Sequence, residues 1–250
     1  MHPADRPVGK NWTIVTVAPV MSEADQVPNV PELPGGPYDL EFFFDPGCPF
    51  AWQTSVWVRR VRDLRNLKVG WRFISLKFIN EKNEPAGGRP GRDRGLRFHR
   101  VCAAARAQFG NDAVGALYET YGNRHWYVTG GDKDARREEA AKRSDLAEVV
   151  AAAGLPASLL DAADDDSHDA LIRAESDEAF RRTGPDVGTP IITYDPPTGN
   201  SMFGPVISTV PGDEESLAFY DALRTLVDFP AFSELKRSAR APLDLPLLKD

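Results

Sequence analysis

The pair Cys48-Pro49 lies between a predicted buried strand and a predicted helix. Residues Asp39–Phe44 are predicted to form a strand, and the unbroken apolar run Phe42-Phe43-Phe44 is typical of a strand covered on both faces. Asp45-Pro46-Gly47 ends that strand, and Cys48-Pro49 comes directly before a helical apolar stripe over Gln53–Leu64. Proline is tolerated in the first turn of a helix. The pattern therefore predicts Cys48 at the start of a helix, beside the end of a central strand.

The order of the elements predicts the fold class. A second strand is predicted over Lys68–Leu76, a block of helices follows between Leu96 and Arg182, and the chain returns with two short strands and a last helix over Asp213–Val227. The two short strands are Ile191–Tyr194 and Ser201–Phe203. Strands and helices in this order predict one α/β core interrupted by a helical insertion.

Composition divides the chain further. Residues 1–37 hold seven of the 21 prolines and read as an extended N-terminal arm. The predicted core comprises residues 38–80 and 183–250, and the predicted insertion comprises residues 81–182, with a loop-like stretch from Glu81 to Gly95.

Charge, hydropathy and cysteine content exclude several function classes. The net charge of −7 argues against a nucleic-acid partner, because phosphates would be repelled. No run of 18 apolar residues is present, so no membrane span is expected. Two cysteines and four scattered histidines offer no zinc-ligand spacing, so no metal is expected. So few cysteines favour a reducing cytoplasm.

Cys48 is the candidate nucleophile. Unpaired N–H groups and the helix dipole at a helix start favour a thiolate, which predicts a lowered pKa for Cys48. The alternative is that Cys48 is a small buried hydrophobic residue without chemistry. Cys102 lies within an alanine-rich helical pattern and is expected to serve packing alone.

Two further segments are candidates for the site. Thr189-Pro190 opens a predicted strand and gains significance only if it packs against Cys48. The segment Asn123-Arg124-His125-Trp126 is polar and aromatic and is a candidate lining of a cleft.

These segments together resemble the DsbA-like branch of the thioredoxin superfamily. The resemblance runs from Phe43 through Cys48-Pro49-Phe50-Ala51-Trp52 and, after a helical insertion, to Asp186-Val187-Gly188-Thr189-Pro190. Class kappa glutathione transferases and 2-hydroxychromene-2-carboxylate isomerases share this architecture. Within the branch, Tyr121-Gly122-Asn123-Arg124 and Phe203-Gly204-Pro205-Val206 look like segments of the mycothiol-dependent nitroreductases and their FrnE-like relatives.

The resemblance implies a thioredoxin fold with an inserted all-helical subdomain and a cis peptide bond before Pro190 that faces Cys48. It implies mycothiol, or a similar low-molecular-weight thiol, as co-substrate and no metal. The thiol would hydrogen-bond the backbone at Thr189 as an added strand does. Pro49, Phe50, Trp52, Asn123, Arg124 and Trp126 would complete the thiol- and substrate-binding residues, and the partner would be a small-molecule electrophile or disulfide.

Ala51 departs from the family pattern, because dithiol relatives carry the resolving cysteine there. Without that sulfur, a mixed disulfide on Cys48 must be resolved by an external thiol, which defines a monothiol mechanism. Two alternatives stay open: a thiol transferase or isomerase acting on an electrophilic small molecule, as in secondary metabolism, and a catalytically silent binding module. A homodimer is also compatible with the sequence.

Overall fold

A four-stranded mixed sheet forms the centre of the computed structural model, which describes residues 30–83 and 90–249. The strands are β1 (Leu40–Phe44), β2 (Val69–Phe73), β3 (Ile191–Tyr194) and β4 (Ser201–Phe203), in the spatial order β2-β1-β3-β4. β1 and β2 run parallel, whereas β3 runs antiparallel to both β1 and β4. The two halves therefore meet in the middle of the sheet, where Phe42 pairs with Ile192.

Eight α-helices are present in the described residues. They are α1 (Pro49–Arg65), α2 (Leu76–Ile79), α3 (Pro90–Phe109), α4 (Asn111–Trp126), α5 (Lys133–Arg143), α6 (Leu146–Ala152), α7 (Asp169–Thr183) and α8 (Asp213–Val227). Short 3-10 helices cover Glu81–Asn83, Ala157–Asp164, Asp166–His168 and Pro246–Leu248. α1 connects the parallel strands β1 and β2, and α8 follows β4. This is a thioredoxin fold with a helical insertion, and the predicted fold class is confirmed.

Both faces of the sheet are covered, which explains why every residue of β1 is buried. α1 and α8 pack together on one face, where Trp57 and Phe219 approach to 5.3 Å between ring centroids. On the other face lies α7, whose Glu175 accepts a hydrogen bond of 2.8 Å from the amide of Phe73. The apolar run in β1 is thus the consequence of a two-sided core.

Buried ion pairs fix α7 against the sheet. Arg72 of β2 pairs with Glu41 of β1 at 2.8 Å and with Glu175 of α7 at 3.0 Å. Arg182, near the end of α7, also reaches Glu41, at 2.7 Å. Removing one partner from such a buried set leaves an uncompensated charge and is strongly destabilising. α7 therefore packs as part of the core, although its residues lie within the predicted insertion of residues 81–182.

The insertion consists of α3 to α6 and the turns that follow them. α3 begins at Pro90, so the helix includes residues 90–95, which the glycine- and proline-rich composition predicted as loop. Proline at a first helical position explains the difference, since its missing N–H has no partner to lose there. Arg97 of α3 pairs with Asp164 at 2.8 Å, within the insertion. Arg100 of α3 pairs with Asp169 at the start of α7 at 2.7 Å, which joins the insertion to the core.

Both ends of the described chain dock on this body. Val30 and Leu33 are buried, and the carbonyl of Pro31 accepts a hydrogen bond of 3.1 Å from Arg72. The rest of the predicted N-terminal arm, residues 1–29, lies outside the described residues. At the other end, Leu245 and Leu247 are buried in the main core. In the residues that the structure describes, no helix is long and apolar enough to cross a membrane.

Candidate active site

Cys48 is the N-cap residue of α1. Its backbone is extended, with φ of −90° and ψ of 111°, and its Sγ accepts a hydrogen bond of 3.4 Å from the amide of Ala51. Pro49 follows at the first helical position. The turn that ends β1 sets this geometry, because the amide of Cys48 donates to the carbonyl of Asp45 at 3.1 Å. The side chain is half-buried, so the sulfur lies at the surface edge of the core.

The Thr189-Pro190 loop contacts the sulfur directly. Its peptide bond is cis, and the Cys48 thiol donates to the Thr189 carbonyl at 3.5 Å. The hydroxyl of Thr189 donates to the carbonyl of Phe43 at 3.1 Å, which ties the loop to the central strand. Across the described residues, the Thr189 amide donates no hydrogen bond to the protein. A backbone N–H is thus available beside Cys48 for a bound ligand.

The protonation state of Cys48 differs from the sequence prediction. The pKa of its thiol is raised to about 11, chiefly by burial and next by the Asp45 carboxylate, against the lowering effect of the Ala51 and Phe50 amides. The prediction of a lowered pKa is therefore wrong, because desolvation outweighs the amides at the helix start. The contact with Thr189 agrees with this result, since a carbonyl oxygen accepts a hydrogen bond from a thiol and repels a thiolate. The resting group is the neutral thiol.

Asp45 is a site residue that the sequence analysis treated only as part of a turn. Its carboxylate is 1% exposed and accepts hydrogen bonds of 2.8 Å from the amides of both Gly47 and Leu76. Burial raises the pKa of Asp45 to about 6, against the lowering effect of these two amides. Asp45 therefore shapes the Cys48 turn and places a titratable group next to it. The Asp-Pro-Gly sequence before a cysteine was the available signal.

The predicted aromatic residues occupy different environments. Phe50 is partly exposed beside Cys48. Trp52 is 1% exposed and packs so closely on α4 that a Cβ added at Gly122 would lie 2.1 Å from its ring. Trp126 is also in the core, at 4% exposure, edge-on to His125. Phe50 alone of the three therefore presents substantial surface at the site, and Trp52 supports the helix from within.

The remaining predicted residues lie on α4. Asn123 is exposed, and Arg124 pairs with Glu148 of α6 at 2.9 Å. Within the described ranges, no hydrogen bond or ion pair joins Asn123, Arg124 or Trp126 to Cys48. Their assignment to the thiol-binding site rests on the resemblance alone.

Alanine stands where a second cysteine would lie one turn from Cys48. Ala51 stands one turn along α1 and is fully buried, and both cysteines are free thiols. Cys102 is fully buried in α3, where burial raises its pKa well above the ordinary value. Among the residues described, no three His, Cys, Asp or Glu side chains come together as metal ligands.

The family follows from comparison with known proteins. Residues 47–237 match the family described as Rv2466c-like, mycothiol-dependent nitroreductase Rv2466c. The chain belongs to this family. The Rv2466c-like family is one of thiol-dependent oxidoreductases, so the family resemblance stated from the sequence is confirmed. The uncharacterized protein Rv2286c of Mycobacterium tuberculosis (strain ATCC 25618 / H37Rv) is 33% identical over 215 residues, covering 84% of this chain and 85% of that protein.

Solved structures similar to this Rv2466c-like chain include two DsbA proteins and an isomerase. The probable DsbA oxidoreductase SCO1869 from Streptomyces coelicolor is 16% identical, with 82% of this chain and 97% of that chain covered and a TM-score of 0.47. A peptide complex of Proteus mirablis DsbA is 16% identical, with coverages of 84% and 100% and a TM-score of 0.42. A 2-hydroxychromene-2-carboxylate isomerase is 16% identical, with coverages of 75% and 95% and a TM-score of 0.38.

Proposed function

We propose that the protein is an oxidoreductase that depends on a low-molecular-weight thiol and uses Cys48 as its only reactive sulfur. The observation that carries this proposal is the pairing of an accessible Cys48 with Ala51 one helical turn away. A mixed disulfide on Cys48 has no neighbouring cysteine to resolve it, because Cys102 is enclosed in α3.

Each step of this mechanism is a thiol–disulfide exchange. As Cys48 loses its proton, its hydrogen bond to Thr189 is given up and the Ala51 amide remains to stabilise the thiolate. The thiolate attacks a disulfide sulfur, so that one S–S bond forms, another breaks, and the leaving thiolate takes up a proton. An external thiolate then attacks the mixed disulfide, frees Cys48 and leaves as part of a new disulfide. The external thiol supplies the reducing electrons.

Mycothiol is the thiol we propose, on the strength of the family to which the chain belongs. The site offers features that such a ligand requires: a half-buried sulfur, an unpaired backbone amide at Thr189 and the partly exposed ring of Phe50. The Thr189 N–H would donate a hydrogen bond to a carbonyl oxygen of the bound thiol beside Cys48, as in strand addition. We also propose the cytoplasm as the setting, because a monothiol mechanism requires a pool of reduced thiol.

A steady-state assay tests this function. The rate of reduction of a small organic disulfide is measured with mycothiol, with glutathione and with no added thiol, for the native chain and for Cys48→Ser. We expect turnover only when a thiol is added, and faster turnover with mycothiol than with glutathione. Cys48→Ser should be at least about 100-fold slower. Without added thiol, the native chain should release one leaving thiol per chain and keep the other half of the disulfide as a mixed disulfide on Cys48. Release of two thiols per chain would show internal resolution and contradict the monothiol mechanism.

The neutral state of Cys48 favours a second candidate function. A thiol with a pKa of about 11 donates a hydrogen bond at neutral pH, as it does to Thr189, and is a weak nucleophile. In a transferase or isomerase, Cys48 would position a bound thiol or electrophile and no disulfide would form. Thiol added to the enzyme would then be recovered unoxidised while the electrophile is converted. Measuring thiol oxidation alongside product formation separates the two candidates.

A further inference from the structure

The C-terminal segment 228–249, called here the strap, crosses from the core to the helical insertion. It leaves the end of α8 and finishes with Leu245 and Leu247 buried in the main core, where the 3-10 helix Pro246–Leu248 packs on α4 and α5. Residues 238–249 of the strap lie beyond the part of the chain that matches the family, which ends at residue 237.

Ser208 attaches the middle of the strap to the core. Its hydroxyl donates to the carbonyl of Ala241 at 2.8 Å, and its carbonyl accepts from the amide of Asp244 at 2.8 Å. The same carbonyl accepts from the Gln53 side chain of α1 at 3.3 Å. The strap is thus connected through Ser208 to the helix that begins at Cys48.

Arg240 lies next to this attachment point and reaches the reactive end of α1. Its guanidinium carbon is 5.3 Å from the centroid of the Phe50 ring. Phe50 is two residues from Cys48, and a hydrogen bond from its backbone amide lowers the pKa of the Cys48 thiol. The Arg240 side chain is exposed, and no carboxylate in the described part of the chain forms an ion pair with it. In the described part of the chain Arg240 donates no hydrogen bond to the protein, so its N–H donors are available to a ligand.

We propose that Arg240 is a specificity-determining residue that binds the anionic group, a carboxylate in particular, of the molecule that reacts at Cys48. A guanidinium fork matches a carboxylate with two parallel hydrogen bonds. The chain as a whole has a net charge of −7, so an anionic molecule needs a local cation at the entrance to the site. The ring of Phe50 contacts Arg240 itself, and Ser208 fixes the backbone of the next residue, Ala241. The inference rests on the proposed reactivity of Cys48.

A matched pair of maleimides tests this inference. N-ethylmaleimide is neutral, and N-(2-carboxyethyl)maleimide is the same electrophile with a carboxylate on its tail. In both, the Cys48 thiolate adds to the double bond: the S–C bond forms, the π bond breaks, and the adjacent carbon takes a proton. No oxidant or leaving group is involved. The rate constants are measured at low salt by mass spectrometry with peptide mapping to Cys48.

The expected readout is the rate constant for N-(2-carboxyethyl)maleimide divided by the rate constant for N-ethylmaleimide. Arg240→Gln should lower that ratio about three-fold, because an ion pair at the surface contributes little and is screened by salt. Arg240→Lys should keep most of the ratio, and added salt should lower it in the native chain. Arg237→Gln is the matched control, which removes an arginine three residues earlier and should leave the ratio unchanged.

The outcomes separate the inference from the function beneath it. If Cys48 reacts with both reagents and Arg240→Gln leaves the ratio unchanged, the inference is wrong and the proposed function stands. An equal fall in Arg237→Gln would also overturn it, because the effect would then belong to the overall charge of the strap. If neither reagent modifies Cys48, the proposed function itself fails.

Discussion

The two cysteines show what makes a thiol available for chemistry in this fold. Cys48 lies at the strand-to-helix junction, half-buried, with the Ala51 amide and the Thr189 carbonyl as partners. Cys102 lies in the middle of α3 and is fully buried. Burial raises the pKa of both thiols, so pKa alone does not distinguish them. The two thiols differ in exposure to solvent. They also differ in their polar partners, because the Ala51 amide can stabilise the sulfur of Cys48 while it loses its proton and attacks.

The largest expected effect is the contrast between removing each thiol. Cys48→Ser should lower thiol-dependent turnover at least about 100-fold, because a serine hydroxyl is a far weaker nucleophile in thiol exchange. Cys102→Ala should keep turnover and lower the free energy of unfolding by about 1 kcal/mol, through the small cavity it leaves. Turnover assays and urea unfolding measure the two effects. A folded Cys102→Ala variant without turnover would place the reactive thiol in the insertion.

The pH dependence of alkylation sharpens the same comparison. Because the pKa of Cys48 is raised to about 11, its thiolate fraction should rise about ten-fold for each pH unit between pH 7 and pH 10. The rate of iodoacetamide labelling at Cys48, mapped by mass spectrometry, should therefore climb without a plateau over this range, while Cys102 stays unlabelled in the folded chain. A plateau below pH 8 would show that the thiolate is favoured after all.

Ala51→Cys supplies the missing sulfur and is expected to have an intermediate effect. Two cysteines one helical turn apart can be bridged without moving the backbone far. Mild oxidation should join the new sulfur to Cys48, and the variant should reduce disulfides about ten-fold faster than the native chain when only a dithiol reductant is supplied. Mass spectrometry detects the loss of both free thiols. If the two sulfurs never pair, the turn geometry differs from that of dithiol relatives, and the transferase or isomerase reading gains support.

Asp45→Asn is expected to give the smallest effect. The carboxylate raises the pKa of Cys48 after burial, so its replacement should speed alkylation of Cys48 at pH 8 by about three-fold. Asparagine keeps an oxygen that can accept from the amide of Gly47 or Leu76. Asp63→Asn, an exposed carboxylate near the other end of α1, is the control. An unchanged rate in a folded Asp45→Asn variant would show that this charge does not reach the sulfur.

Local sequence patterns were sufficient for most of the core. Ile191–Tyr194 and Ser201–Phe203 were predicted with the bounds that the structure shows, because turn residues punctuate both ends. The position of Cys48 followed from the strand-to-helix transition. The start of α3 at Pro90 was missed, since glycine and proline there imitate a loop.

The charge state of Cys48 and the strap could not be read from the sequence. Desolvation of Cys48 is produced by packing between segments far apart in the chain, and no local pattern records it. Arg240 contacts Phe50, and Ser208 bonds the carbonyl of Ala241, across long stretches of chain that carry no periodic or spacing signal. Both features are properties of the tertiary structure, and both bear directly on which molecules react.

The most direct test of the account is mass spectrometry of the native chain after exposure to mycothiol disulfide. We expect an adduct of one thiol per chain, located on Cys48 by peptide mapping and removed by added mycothiol, with Cys102 still reduced. An internal disulfide between Cys48 and Cys102, or an adduct located on Cys102, would contradict the claim that Cys48 acts alone.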